Sequence, residues 1–159
     1  YPMKANDNNI YYVRNTNKLK AANKLASINV FLKELISKLL TYYKNNELIQ
    51  IMGKKNIIVK ELPKNTEKKV AYTVNKSVIY ICLRTNNNFE TNLNSIKFVI
   101  MHELSHIISN TYGHTEEYWN IFRLVLKSSI KHKLYNYRNY YNNPVDYCNI
   151  KIDTTPYLK

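Results

Sequence analysis

Between Asn17 and Lys44 the apolar positions Leu25, Ile28, Leu32, Leu35 and Leu39 recur at three- and four-residue steps, with Lys24, Lys33 and Lys38 between them. That spacing predicts an amphipathic helix. Gly53 follows as a chain reversal, and Asn56 to Leu62 is β-branched and strand-like until Pro63 stops it. Ala71–Val74 and Val78–Leu83 read as two further strands, joined through Asn75-Lys76-Ser77 as a hairpin. After a loop at Asn86-Asn87-Asn88, a second helix is expected over Ser95–Asn110, where Ile100, Leu104, Ile107 and Ile108 form the core-facing stripe. A third begins at Thr115, a good N-cap, with Glu116 and Glu117 in the first turn, where the helix dipole favours acids. Tyr118, Trp119, Phe122 and Leu126 give it an apolar face. Residues 1–16 lack a period and read as a lead-in, while residues 131–159 read as a basic, aromatic tail. The order helix, three strands, two helices implies an α+β domain in which a small sheet packs on the helices.

Length and composition agree with one globular domain spanning residues 1–159: 18.9 kDa, 45% hydrophobic and 22% charged residues, two glycines and four prolines. Twenty-four Lys and Arg against eleven Asp and Glu leave a net charge of +13, which attracts polyanions such as nucleic acid. An AT-rich coding sequence, which inflates lysine, asparagine and tyrosine together, accounts for the same basicity without any such partner. Cys82 and Cys148 stand far apart with no CxxC pairing, so no disulfide framework is expected. A reducing intracellular compartment follows as the default: nucleus, cytoplasm, or a viral factory or particle. No apolar run is long enough to span a bilayer.

The chemistry concentrates at His102-Glu103-Leu104-Ser105-His106, an H-E-x-x-H sequence inside the second helix. Residues four apart on a helix are rotated by about 400°, so His102 and His106 project from one face and can share an ion. Glu103 stands one residue round, where a carboxylate can take a proton from an activated water and hand it to a departing amine. A catalytic zinc site needs a third protein ligand. His114 is the natural candidate, because Gly113 lets the chain reverse and return an imidazole over the first two. Glu117, in the next helix, is a second candidate for that position. A metzincin is excluded, since Ser109 and Tyr112 occupy its glycine and last histidine positions. A peptide deformylase would draw a ligand from an upstream cysteine, but this chain lacks the glycine-rich segment and Cys82 reads as a buried strand residue. His132, between Lys131 and Lys133, reads as solvated.

Met101-His102-Glu103-Leu104-Ser105-His106, followed by Gly113-His114-Thr115-Glu116-Glu117-Tyr118-Trp119 and Phe122, resembles the H-E-L-x-H … G-H-x-x-x-F-W pattern of the WLM metallopeptidases and their SprT-like relatives. The resemblance covers about 25 residues, with Tyr118 where phenylalanine is usual and a longer gap between His106 and His114. It implies a compact zincin-like fold, one catalytic Zn²⁺ held by His102, His106 and His114, and Glu103 as general base and acid. It further implies endopeptidase activity, in several relatives on proteins crosslinked to DNA.

Beyond that core, a hydrogen-bond donor is needed for the developing oxyanion, and Tyr112, Tyr135 and Tyr147 are the candidates. Lys131, Lys133 and Arg138 alternate with Tyr135, Tyr137, Tyr140 and Tyr141, a composition suited to single-stranded nucleic acid. Fifteen tyrosines in the chain make such clusters common without that role. Cys148 could reach the ion as an inhibitory thiolate. A peptide substrate is expected along the edge of the small sheet. The sequence thus points to a zinc metallopeptidase acting on protein or peptide; the competing reading is a basic, zinc-stabilised binding module without turnover.

Overall fold

The computed structural model describes residues 1–64, 70–85 and 88–156; Asn86 and Asn87 of the expected loop, and the end of the C-terminal segment, lie outside them. The architecture is α+β, organised around α1 (Lys18–Tyr42). The expected stripe holds: Leu25, Ile28, Leu32, Leu35 and Leu39 are all buried, joined by Ala21 and Ala22, whose small side chains let neighbouring elements approach.

Gly53 does not make a reversal. It ends a short helix, α2 (Glu47–Gly53), whose Asn46 cap accepts a hydrogen bond from the Ile49 amide. Two turns are too few for a periodic signal, and burial of Ile49 and Met52 supplies what propensity does not.

The expected small sheet is present. Strand β3 (Ile58–Glu61) pairs in parallel with β5 (Val78–Ile81), which pairs antiparallel with β4 (Ala71–Val74), giving the order β3-β5-β4 and leaving β4 at an edge. Asn75 and Lys76 join β4 to β5 with φ of 54° and 49°, the positive pair that matches the twist of a tight hairpin. Val59, Ile79 and Ile81 turn inward, while Tyr72 and Tyr80, directly opposite one another, stack their rings at 4.8 Å on the other face.

Both chain ends are more structured than the sequence suggests. Residues 1–16 fold as a hairpin of β1 (Pro2–Lys4) and β2 (Ile10–Tyr12), with Ala5, Tyr11 and Val13 buried. After β5 comes a two-residue ribbon of β6 (Arg84–Thr85) and β7 (Asn88–Phe89), then the two long helices α3 (Leu93–Ile108) and α4 (Glu116–Lys131). The segment beyond α4 packs onto the core instead of trailing from it. Tyr135 and Tyr140 are buried beside Phe98, and β8 (Val145–Tyr147) and β9 (Ile150–Ile152) form a closing hairpin with Tyr147 fully covered.

Two links hold this periphery down, and the sequence reading has neither. Cys82 and Cys148, expected to be unpaired, form a disulfide with Cα atoms 6.5 Å apart, fastening the β8–β9 hairpin to the end of β5. Sixty-six residues separate them, so spacing carries no hint of the pairing. The unpaired cysteines that argued for a reducing compartment are therefore gone. Arg84, 1% exposed, donates Nε and Nη2 to the two oxygens of Glu61 at 2.7 and 2.8 Å, and Nη1 to the Thr16 carbonyl at 2.7 Å. Glu61 also accepts from the Arg14 amide at 2.7 Å, so the N-terminal hairpin, β3 and β6 share one buried ion pair. Among the described residues no helix is long and apolar enough to cross a membrane.

Candidate metal centre

Helix α3 starts at Asn92, whose side chain accepts from the Ser95 amide, and buries Ile96, Ile100, Leu104 and Ile107. The expected stripe of Ile100, Leu104, Ile107 and Ile108 is buried, Ile96 extending it, and the face turned away from it carries His102 and His106, with ring centroids 5.1 Å apart. Helix α4 begins as expected at Thr115, which accepts from the Tyr118 amide. It is locked to α3 by Tyr118, fully buried, whose hydroxyl donates to the His102 carbonyl at 3.0 Å and whose ring stacks on His106 at 4.2 Å. Tyrosine rather than phenylalanine at this position thus adds a polar tie to the packing.

The chain between the helices returns His114 to the pair. Gly113 has φ of +82°, a conformation that costs a side-chain-bearing residue about 1–2 kcal/mol. His114 Nε2 then lies 3.4 Å from His102 Nε2, and one ring nitrogen from each of His102, His106 and His114 falls within 4.8 Å of the others. Ligands about 2.0–2.1 Å from a tetrahedral ion stand about 3.4 Å apart, so the spacing suits a metal ion between these rings. These three histidines can hold one. The ionisation of two of them agrees: burial, then the neighbouring imidazoles, pushes His102 down to about 3, and burial, then His114 and the Lys76 ammonium, pushes His106 down to about 4. Both rings are therefore neutral near pH 7, the form with a lone pair to donate.

Glu103 is 6% exposed, its Oε2 3.7 Å from His102 Nε2. Among the described residues no hydrogen bond holds its carboxylate, and burial raises its pKa to about 7. A buried acid that no described residue hydrogen-bonds, beside rings that could hold a metal ion, can exchange a proton with a molecule bound there.

The three rings and Glu103 open into a cleft of about 480 Å³ whose opposite wall is the edge strand β4 and its turn, from Ala71 through Lys76. Of the expected oxyanion donors, Tyr112 lines this cleft, 85% exposed, under the Lys76 ammonium at 4.7 Å. Tyr135 gives its hydroxyl to Tyr140 at 3.2 Å, and Tyr147 gives its to the Cys82 carbonyl, so both are committed inside the core.

Two alternative ligand assignments fall, and His132 is not the solvated side chain the sequence suggests. Glu117 is no ligand: its Oε1 accepts from Ser109 Oγ at 2.9 Å, the Asn110 amide at 2.7 Å and the Thr111 amide at 3.2 Å, bonds that lower its pKa and spend the carboxylate on the loop. Cys148 is tied up in the disulfide. His132 caps α4, its Nδ1 2.9 Å from the Ser128 carbonyl and its ring 4.7 Å from that of Tyr42. In the 131–141 segment Tyr135 and Tyr140 are buried and Arg138 is bonded to the Asn143 carbonyl, leaving Tyr141, 78% exposed, as an outward ring.

Lys76 is the residue of this site that pattern reasoning passes over. Its ammonium donates to the carbonyls of Ser109 and of Thr111, the latter at 3.2 Å, across the cleft from its own hairpin. The one sequence signal is a lysine in the second position of a primed turn, where glycine or asparagine is usual.

No family model and no solved structure matches the chain. It is similar to uncharacterized protein 136R of Invertebrate iridescent virus 6, 27% identical over 100 residues (61% of this chain, 55% of the relative). It is likewise similar to uncharacterized protein 042R of Invertebrate iridescent virus 3, 32% identical over 78 residues, about half of each chain. Uncharacterized protein R325 of Acanthamoeba polyphaga mimivirus is 30% identical over 156 residues, covering 92% of this chain and 78% of the relative. At that identity and coverage, the chain belongs to the family of the mimivirus protein R325.

Proposed function

We propose that this chain is a zinc-dependent endopeptidase. The observation that carries the reading is the pairing of three imidazole nitrogens at ligand spacing with a buried carboxylate that no described residue hydrogen-bonds on one cleft wall, facing the outer strand of the described sheet on the other. His102, His106 and His114 would hold the Zn²⁺; an all-imidazole set suits zinc, and three protein ligands leave a position for reactants. When bound, zinc supplies Lewis-acid polarisation of a carbonyl and acidifies a water.

The chain's own residues do the rest. Glu103 accepts a proton from the attacking water and returns it to the leaving amine nitrogen, a shuttle its raised pKa suits near neutrality. Strand β4, outermost in the described sheet and on the cleft wall, would pair its backbone with an extended peptide and hold a carbonyl over the histidines. Tyr112, which lines the cleft, would be the donor to an oxyanion. A net charge of +13 favours substrates bound to nucleic acid, the part of the resemblance that concerns DNA-associated proteins.

The test is a gel time course of zinc-loaded protein on an unstructured polypeptide, with and without single-stranded DNA, with Glu103→Gln as the blank. Cleavage by the wild type alone is expected. Cleavage at equal rates by both proteins sinks the assigned role of Glu103. No cleavage together with unfolding on chelation would instead establish the zinc-stabilised binding module.

A further inference from the structure

A lysine with φ of 49° is an uncommon choice, because side chains beyond Cβ crowd the left-handed conformation and glycine, asparagine or aspartate fill it more readily. Nothing in the β4–β5 hairpin itself asks for lysine at position 76. What the side chain reaches does. The Ser109–Thr115 connection that carries His114 has no regular structure of its own, and it is gripped from both sides. On its carbonyl side Lys76 Nζ meets the Ser109 and Thr111 oxygens; on its amide side Glu117 Oε1 meets the Asn110 and Thr111 nitrogens. The cation and the carboxylate thus bracket the same three residues, each bonding the groups its charge attracts. Two side-chain bonds, Ser109 Oγ to Thr111 Oγ1 at 3.1 Å and Thr111 Oγ1 to Thr115 Oγ1 at 2.6 Å, close the ring.

His114 leaves this bracket at a glycine, and although its ring packs against Tyr118 and Trp119 of α4 at 5.1 and 5.6 Å, its own backbone lies in the loop and not in a helix. His102 and His106 are aimed by α3. We propose that Lys76 is a positioning residue for the third histidine: from the neighbouring hairpin it fixes the loop so that His114 meets the other two rings at ligand spacing. The proposal rests on the zinc reading of the cluster. It also couples the sheet edge that would receive a peptide to the metal site, since the turn at the end of β4 and the His114 loop become one unit through a single ammonium.

The experiment compares full-length wild type with Lys76→Gly, Lys76→Asn and Lys76→Arg, using zinc affinity by chelator competition and the visible spectrum of Co²⁺ added in place of zinc. Glycine and asparagine tolerate the left-handed turn and remove the ammonium; arginine keeps a donor. The metal-free Lys76→Gly and Lys76→Asn chains are expected to melt at or above the wild-type temperature. Both should nevertheless bind zinc about 10- to 100-fold more weakly, the usual effect of losing a group that orients a ligand. Their cobalt spectra should lose tetrahedral intensity, approaching that of His114→Ala, and Lys76→Arg should restore most of the affinity.

Wild-type affinity and spectrum in both donor-free variants would overturn the proposal while leaving the metal centre intact. A lowered melting temperature in both metal-free variants would also overturn it, making Lys76 a general prop of the fold. Failure of the wild type to take zinc or cobalt would instead bring down the reading of the histidine cluster, and the positioning role with it.

Discussion

Two polar clusters penetrate this domain, and they are built on opposite plans. At one end Glu61 is saturated: both oxygens bond Arg84, one also takes the Arg14 amide, and Arg84 is further anchored on Thr16, with both ion-pair partners out of contact with water. At the other, Glu103 is nearly as buried and has no hydrogen bond among the described residues, and one ring nitrogen from each of three imidazoles converges on a common point, His114 Nε2 lying 3.4 Å from His102 Nε2. The saturated cluster ties β3, β6 and the N-terminal hairpin together and has no capacity left for a ligand. The open one keeps its ring nitrogens and carboxylate on the wall of a cleft, where a bound ion and substrate would use them.

The comparison is broken or sharpened most directly by making one substitution in both places. Glu103→Gln is expected to lower peptide cleavage by about 10²–10⁴-fold while the melting temperature stays level or rises, since a buried charge is replaced by a neutral isostere. Glu61→Gln should do the reverse, losing about 3–5 kcal/mol of stability by leaving Arg84 uncompensated, read as a fall of roughly 6–20 °C in a thermal melt, with zinc affinity intact. Equal stability losses in the two variants would erase the distinction.

Smaller effects follow. Cys148→Ser should cost about 2–4 kcal/mol, measured in urea, because it frees the β8–β9 hairpin and lengthens the unfolded chain's loops. Chelation should leave the far-ultraviolet circular dichroism unchanged and lower the melting temperature by only a few degrees, as α3 and α4 are held by buried apolar side chains and by the Tyr118 bond to the His102 carbonyl. Last, Glu117→Gln should weaken zinc binding by less than about tenfold, since a neutral amide oxygen still accepts from the loop amides.

Much of this molecule is legible from its sequence where a single element decides the outcome. The stripe on α1, the Thr115 cap and the His102–His106 spacing each lie within one helix, and local periodicity states them. Even His114 is reachable, because Gly113 announces the reversal that brings it back. What escapes is long in sequence or two-faced in chemistry. The Cys82–Cys148 bond and the Glu61–Arg84 pair join residues far apart, and no window of the chain contains both ends. Tyr135 and Tyr140 read as rings among cations and Tyr147 as a donor at the site, yet each buries its apolar body and satisfies its hydroxyl internally. Glu117 is ordinary as a first-turn acid, and Lys76 is odd for its turn without saying why; only the path of the loop between them turns them into a bracket.

The disulfide has a practical corollary. The covalent ring it closes runs from Cys82 to Cys148 and encloses His102, Glu103, His106 and His114. If the protein cuts its own chain anywhere between those cysteines, the two products remain one molecule of unchanged mass apart from an added water. Self-processing would then be invisible on a non-reducing gel and would emerge as two bands only after a thiol reductant is added.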